Sequence, residues 1–161
     1  MADLAPAVPP LRVVLVSPQI PPNTGNVVRT CAVTGCELHL VEPLGFSLEE
    51  NALRRAGLDY WEGVAVTVHA GWPELAAALL QDRPGRLHLF TARAGRSALE
   101  ADYAPGDLLV FGQEQLGLPP ALVAAHPDRC VSIPMRPGSR SLNLAVAVGV
   151  GVYAAIRSLE R

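Results

Sequence analysis

Residues 11–41 read LRVVLVSPQIPPNTGNVVRTCAVTGCELHLV, and this stretch decides the fold class. Residues 11–16 (LRVVLV) are a short apolar run ended by Ser17 and Pro18, which reads as a buried strand. Residues 20–25 (IPPNTG) are rigid and turn-rich, and Asn23 or Thr24 is placed to cap a helix reaching about Thr34. Gly35 is placed to end that helix, because glycine adopts the left-handed closing conformation without a steric cost. Residues 38–41 then read as a second strand. Strand, helix and strand in immediate succession point to a parallel pair joined by a crossover helix.

The same alternation continues outward. Ser47 followed by Glu50 is a capping box for a helix through Arg55 that stops at Gly57. Residues 64–69 alternate in a strand-like way, and residues 72–81 (WPELAAALLQ) carry a proline near the first turn, then Ala and Leu at helical spacing. Residues 87–91 and 107–111 are further strands, 119–125 a short helix and 130–133 a last strand, followed by a loop over 134–142. The final segment carries two signals. Residues 145–152 (AVAVGVGV) alternate with a strand period, whereas the length of the run to Ser158 favours a helix. We read a helix packed against a neighbour: Gly149 and Gly151 cost about 1 kcal/mol each against alanine, which close approach by another backbone would explain. The expected architecture is α/β, a mostly parallel sheet with helices on both faces, formed by residues 11–161 after a flexible leader over residues 1–10.

Composition narrows the function classes. The chain has 161 residues, 50% hydrophobic and 17% charged, enough for a core without disulfide staples. Thirteen basic residues against fifteen acidic give a net charge of −2, and every basic residue is arginine. That balance excludes a polybasic nucleic-acid coat but leaves room for a local arginine patch suited to phosphate. Three cysteines (Cys31, Cys36, Cys130) without a CxxC spacing argue against a disulfide framework and against a thiolate zinc site. The first ten residues lack the basic and apolar regions of a secretory signal, and the longest apolar stretch, 144–156, is shorter than the roughly 20 residues of a membrane span. A soluble cytoplasmic domain is expected.

In an open α/β sheet, ligands bind beyond the carboxyl ends of the strands. Three loops there are dense in turn and polar residues. In residues 21–29 (PPNTGNVVR), Asn23 and Gly25 can form a turn exposing helix N-terminal amides to an anion, with Arg29 one turn further on; an ordinary capped helix is the plainer alternative. In residues 111–119 (FGQEQLGLP), Gly112 permits a close backbone approach by a ligand and Glu114 follows; a solvated turn is the alternative. Residues 133–144 (IPMRPGSRSLNL) could cradle a small polar ligand through backbone groups. The dinucleotide glycine fingerprint, the phosphate loop, HExxH and the GxSxG elbow are all missing. The histidines, His39, His69, His88 and His126, are scattered and read as structural or surface residues. Arg54 and Arg55 lie near Tyr60 and Trp61, a basic and aromatic cluster of the kind that meets nucleic acid.

Together these segments resemble the SPOUT superfamily of RNA methyltransferases, and within it the TrmL-type tRNA (cytidine/uridine-34) 2′-O-methyltransferases. The likeness rests on IPPNTGNVVRTCAVTGCELHLVEPLGF, LRRAGLDYW, FGQEQLGLP and IPMRPGSRSLNL, and runs from about Leu11 to Arg157. It implies an α/β fold with a C-terminal trefoil knot, S-adenosylmethionine as methyl donor, no metal, and a homodimer whose donor pockets are completed near the partner subunit. Carried over by motif, the donor pocket involves Phe90, Thr91, Gly112, Glu114, Ile133, Met135, Ser141 and Leu142. Arg29, Ser141 and Asn143 fall at the reaction centre. Asn23, Arg54, Arg55, Arg136 and Arg140 are the expected RNA contacts, with the anticodon loop of tRNA, leucine tRNA in particular, as substrate. Two departures bear on the RNA more than on the reaction. Leu116 stands where the group usually has arginine or lysine, and Ala145–Val146 stand where many relatives read Ser-Asn. A ribosomal RNA or other tRNA target, and a non-catalytic RNA-binding relative, are the alternatives.

Overall fold

In the computed structural model, which describes residues 3–5, 7–49, 63–81 and 85–161, the chain runs β1 (Arg12–Val16), α1 (Pro21–Thr34), β2 (Glu37–Val41), β3 (Val66–His69), α2 (Trp72–Leu79), β4 (Leu87–Phe90), β5 (Leu108–Phe111), α3 (Pro120–Ala125), β6 (Cys130–Val131) and α4 (Leu144–Leu159). Among the described residues the six strands are all parallel, in the order β3-β2-β1-β5-β4-β6. β1 is buried along its whole length, as its unbroken apolar run requires of a central strand covered on both sides. Alternate residues serve opposite faces. Val13, Leu15, Leu38 and Leu40 pack with Val27, Val28 and Cys31 of α1 and with Val148, Val152 and Ala155 of α4. Val14, Val16, Val41 and Val110 pack with Leu75 and Leu79 of α2 and Leu122 of α3.

Two local readings change, the start of α1 and the role of Gly149 and Gly151, while the final segment is the helix expected. α1 begins at Pro21, with Ile20 as N-cap and no side-chain cap, so Asn23 and Thr24 sit inside its first turn rather than capping it. Pro21 and Pro22 supply the helical φ and have no N–H to satisfy, which moves the start forward. The final segment is a helix throughout; Asn143 caps it, its side-chain oxygen accepting from the N–H groups of Ala145 (2.9 Å) and Val146 (3.3 Å). Its Gly151 faces aromatic rings, not a backbone: a Cβ there would stand 2.8 Å from Phe90 and 3.0 Å from Phe111. Gly149 has nothing within 4 Å of its would-be Cβ. Gly35 ends α1 as expected, at φ 74° with its N–H on the Cys31 carbonyl. The helix expected to run through Arg55 lies outside the described residues.

After β6, at one edge of the sheet, Ser132 donates its N–H to the Arg96 carbonyl and accepts the Ala98 N–H. The chain then returns over β5 as α4, which packs on α1. That path is consistent with the trefoil threading the resemblance implies. Among the described residues no helix is long and apolar enough to cross a membrane, and no group of three or more His, Cys, Asp or Glu could hold a metal ion.

Three histidines are buried and paired. His88 Nε2 donates to Asp107 at 2.8 Å, and His39 bridges Glu37 (3.1 Å) and His69 (3.1 Å). Burial pushes His39 and His69 below the ordinary imidazole value of 6.5, with Glu37 pulling His39 partly back. Above that value the imidazoles are neutral in both folded and unfolded chains. As pH falls through it, the unfolded chain binds protons first, so stability drops until the folded values are passed. Urea midpoints at about pH 7.5 and about pH 5.5 should show the loss at the lower pH, and His69→Gln should flatten it; an equally steep dependence in the variant would rule out this source.

Candidate active site

The carboxyl ends of β4, β5 and β6 open into a cleft of about 440 Å³, within the range of small-molecule sites. All eight residues expected at the donor pocket line it: Phe90 and Thr91 after β4, Gly112 and Glu114 after β5, Ile133 and Met135 after β6, and Ser141 and Leu142 before α4. Phe90 and Phe111 stack beside it with ring centroids 4.3 Å apart. The missing side chain at Gly151 is what lets α4 close over these rings.

Gly112 is needed for a different reason from the one its sequence suggests. What approaches it is the chain's own backbone: a Cβ at this position would lie 2.0 Å from the Gly117 carbonyl carbon and 2.1 Å from the Leu118 nitrogen. Gln113 and Gly117 exchange both backbone hydrogen bonds (3.2 and 3.0 Å), closing a tight turn against Gly112, and Gly117 takes φ 68° to do so.

Glu114 follows in that turn and does what the first loop does not do for itself. Its carboxylate accepts the N–H groups of Gln19 (2.9 Å) and Ile20 (3.0 Å) and the side-chain amide of Asn23 (3.3 Å). A carboxylate at the N-terminus of a helix is favoured by its dipole and exposed amides. The anion expected at this loop is therefore supplied from within the chain. Asn23 passes the connection on, its side-chain oxygen accepting from Asn143 Nδ2 at 3.0 Å, while Asn143 caps α4. Glu114, Asn23 and Asn143 thus tie together the three loops singled out in the sequence. Asn23, expected among the RNA contacts, is buried with both ends of its amide engaged inside the chain.

The remaining expected residues are spread more widely. Arg29 is exposed on α1 and does not line the cleft of its own chain. Arg136 and Arg140 are exposed on the loop between β6 and α4. Arg54 and Arg55 lie outside the described residues. Other cleft residues lay outside the expected set, among them Arg93, just beyond the end of β4, and Leu116, at the tip of the second loop and 79% exposed. Residue type could not reveal Arg93; only the position of β4 within the sheet does.

The SpoU rRNA methylase family matches residues 10–153. The chain belongs to that family. It is a SPOUT-type methyltransferase, and its relatives are close in both sequence and shape. A tRNA (cytidine(34)-2′-O)-methyltransferase from Burkholderia pseudomallei is 52% identical over 146 residues, covering 90% of this chain and 93% of its own length. A solved structure described as giving insight into 2′-OH methylation of C/U34 on tRNA superposes with a TM-score of 0.84 at 47% identity, covering 92% of this chain and 95% of its own. The SpoU methyltransferase AviRb from Streptomyces viridochromogenes, solved with AdoMet, shares the fold at a TM-score of 0.80 and 23% identity, over 91% of this chain and 56% of its own.

Proposed function

We propose that this methyltransferase transfers a methyl group from S-adenosylmethionine to the 2′-oxygen of nucleotide 34 of tRNA, with leucine tRNA as its substrate, in the cytoplasm. The observation that carries this reading is the single cleft into which the loops after β4, β5 and β6 converge, in a chain half identical to enzymes of that name. Its apolar, aromatic side suits a flat heterocycle, and polar backbone and hydroxyl groups stand at its margin. The donor supplies an already activated methyl group on its sulfonium. The protein's task is then alignment and activation of the acceptor hydroxyl.

Ser141, on the cleft wall, and Asn143, fixed by Asn23 and by the first turn of α4, are placed to orient that hydroxyl. A guanidinium is suited to binding anions rather than to acting as a base, so the part of Arg29 is to hold a neighbouring phosphate or the developing alkoxide. Because α1 packs on α4, pairing of two copies through the exposed side of α4 (Val146, Tyr153 and the open surface at Gly149) would carry Arg29 toward the partner's cleft. This is the homodimer we assign.

Transfer of labelled methyl to leucine tRNA, comparing wild type with Arg29→Ala, tests the reading. The expected result is label at the ribose of nucleotide 34, reduced at least roughly 100-fold in the variant with donor binding intact. Label in ribosomal RNA and none in tRNA would favour the alternative the family's name suggests, for which the departures at Leu116 and Ala145–Val146 leave room.

A further inference from the structure

Among the described residues, two charged side chains line the cleft, Arg93 and Glu114. Glu114 is committed to α1, with both carboxylate oxygens accepting from its N-terminal end. Arg93 is exposed, and its guanidinium makes no hydrogen bond or ion pair among the described residues. Its place follows from strand order. β4 lies between β5 and β6, so the residues leaving β4 emerge between the loop over 112–118 and the loop over 133–142. The second of these loops carries the exposed Arg136 and Arg140, while the tip of the first is the apolar Leu116. Arg93 is therefore the cation that lines the cleft among the described residues, leaving β4 between these two loops.

We propose that Arg93 holds the backbone phosphate adjoining the target ribose; this rests on the reading of the chain as an RNA ribose methyltransferase. A guanidinium presents a planar fork that matches two phosphate oxygens at once. Its exposure at the rim, above an apolar side formed by Phe90, Phe111 and Ile133, suits an anion that arrives with the RNA rather than one buried with the donor. The methyl donor's carboxylate is the competing anion, and the test separates the two.

The experiment measures tRNA binding across a salt series, and S-adenosylmethionine binding by calorimetry, for wild type, Arg93→Gln and Arg93→Lys. Arg93→Gln should bind tRNA roughly tenfold more weakly. Its plot of log K against log salt should be shallower by about 0.7 to 1. Arg93→Lys should keep the wild-type slope, and donor affinity should be the same in all three. Loss of donor affinity with an unchanged tRNA slope would overturn the proposal in favour of the carboxylate. Unchanged binding of both ligands would overturn it while leaving the methyltransferase reading intact. Wild type that binds donor but no tRNA would overturn both the Arg93 proposal and the choice of substrate.

Discussion

Gly112→Ala is expected to disrupt the turn between β5 and α3 and to abolish donor binding. The added methyl would sit 2.0 Å from the carbonyl carbon of Gly117 and 2.3 Å from its oxygen. Those atoms are backbone, held by the paired hydrogen bonds between Gln113 and Gly117, so no side-chain rotation relieves the clash. Overpacking of this kind costs about 1–3 kcal/mol, and an unyielding backbone puts the position at the upper end of that range. In a domain of this size, that is a fall in melting temperature of roughly 5–10 °C. Gly95→Ala is the matched control, since a Cβ there meets nothing within 4 Å. Thermal denaturation and calorimetry with S-adenosylhomocysteine would check both. A Gly112→Ala protein that melts and binds like wild type would show that the turn is free to move away.

Glu114→Ala should reduce methyl transfer by about 100-fold, the scale of a misplacement of roughly 1 Å at a reacting centre. The carboxylate is the only acceptor observed for the Gln19 and Ile20 N–H groups among the described residues, and it holds Asn23, which in turn holds Asn143. Removing it leaves two amides short of a partner at about 1–3 kcal/mol each when buried, less here because the site is partly exposed to water. The loss should therefore appear mainly in kcat, with a smaller change in stability. Glu114→Gln retains one acceptor oxygen and should recover part of the rate. Asn23→Ala should add little in a Glu114→Ala background, because the two act through one connection. Full additivity of these variants would refute a shared network.

Much of this molecule is written in local patterns. The buried strand over 12–16, the stop at Gly35 and the succession of strands and helices all follow from periodicity and turn chemistry within a few residues. So do two of the loops that line the cleft, over 111–119 and 133–144: each follows a strand, and parallel strands put such loops on one edge of the sheet; the third loop read from the sequence, over 21–29, does not line it. α1 starts three or four residues ahead of the point that Asn23 or Thr24 would cap, because both look like caps, whereas the carboxylate at its start, accepting from Gln19 and Ile20, is Glu114, more than 90 residues away. Gly149 and Gly151 look alike in sequence, yet only Gly151 stands against the rings of Phe90 and Phe111.

The sequence by itself determined the α/β class, the parallel sheet and, through the motifs of its family, eight of the residues lining the cleft. Only the tertiary structure decided which side chain closes α1, what presses on Gly112 and that Arg93 lines the cleft. The physical reason is the range of the forces involved. Periodicity and capping act across a single turn of chain, whereas the order β3-β2-β1-β5-β4-β6 interleaves distant segments, so the neighbours of Gly112, Glu114 and Arg93 exist only once the sheet has formed.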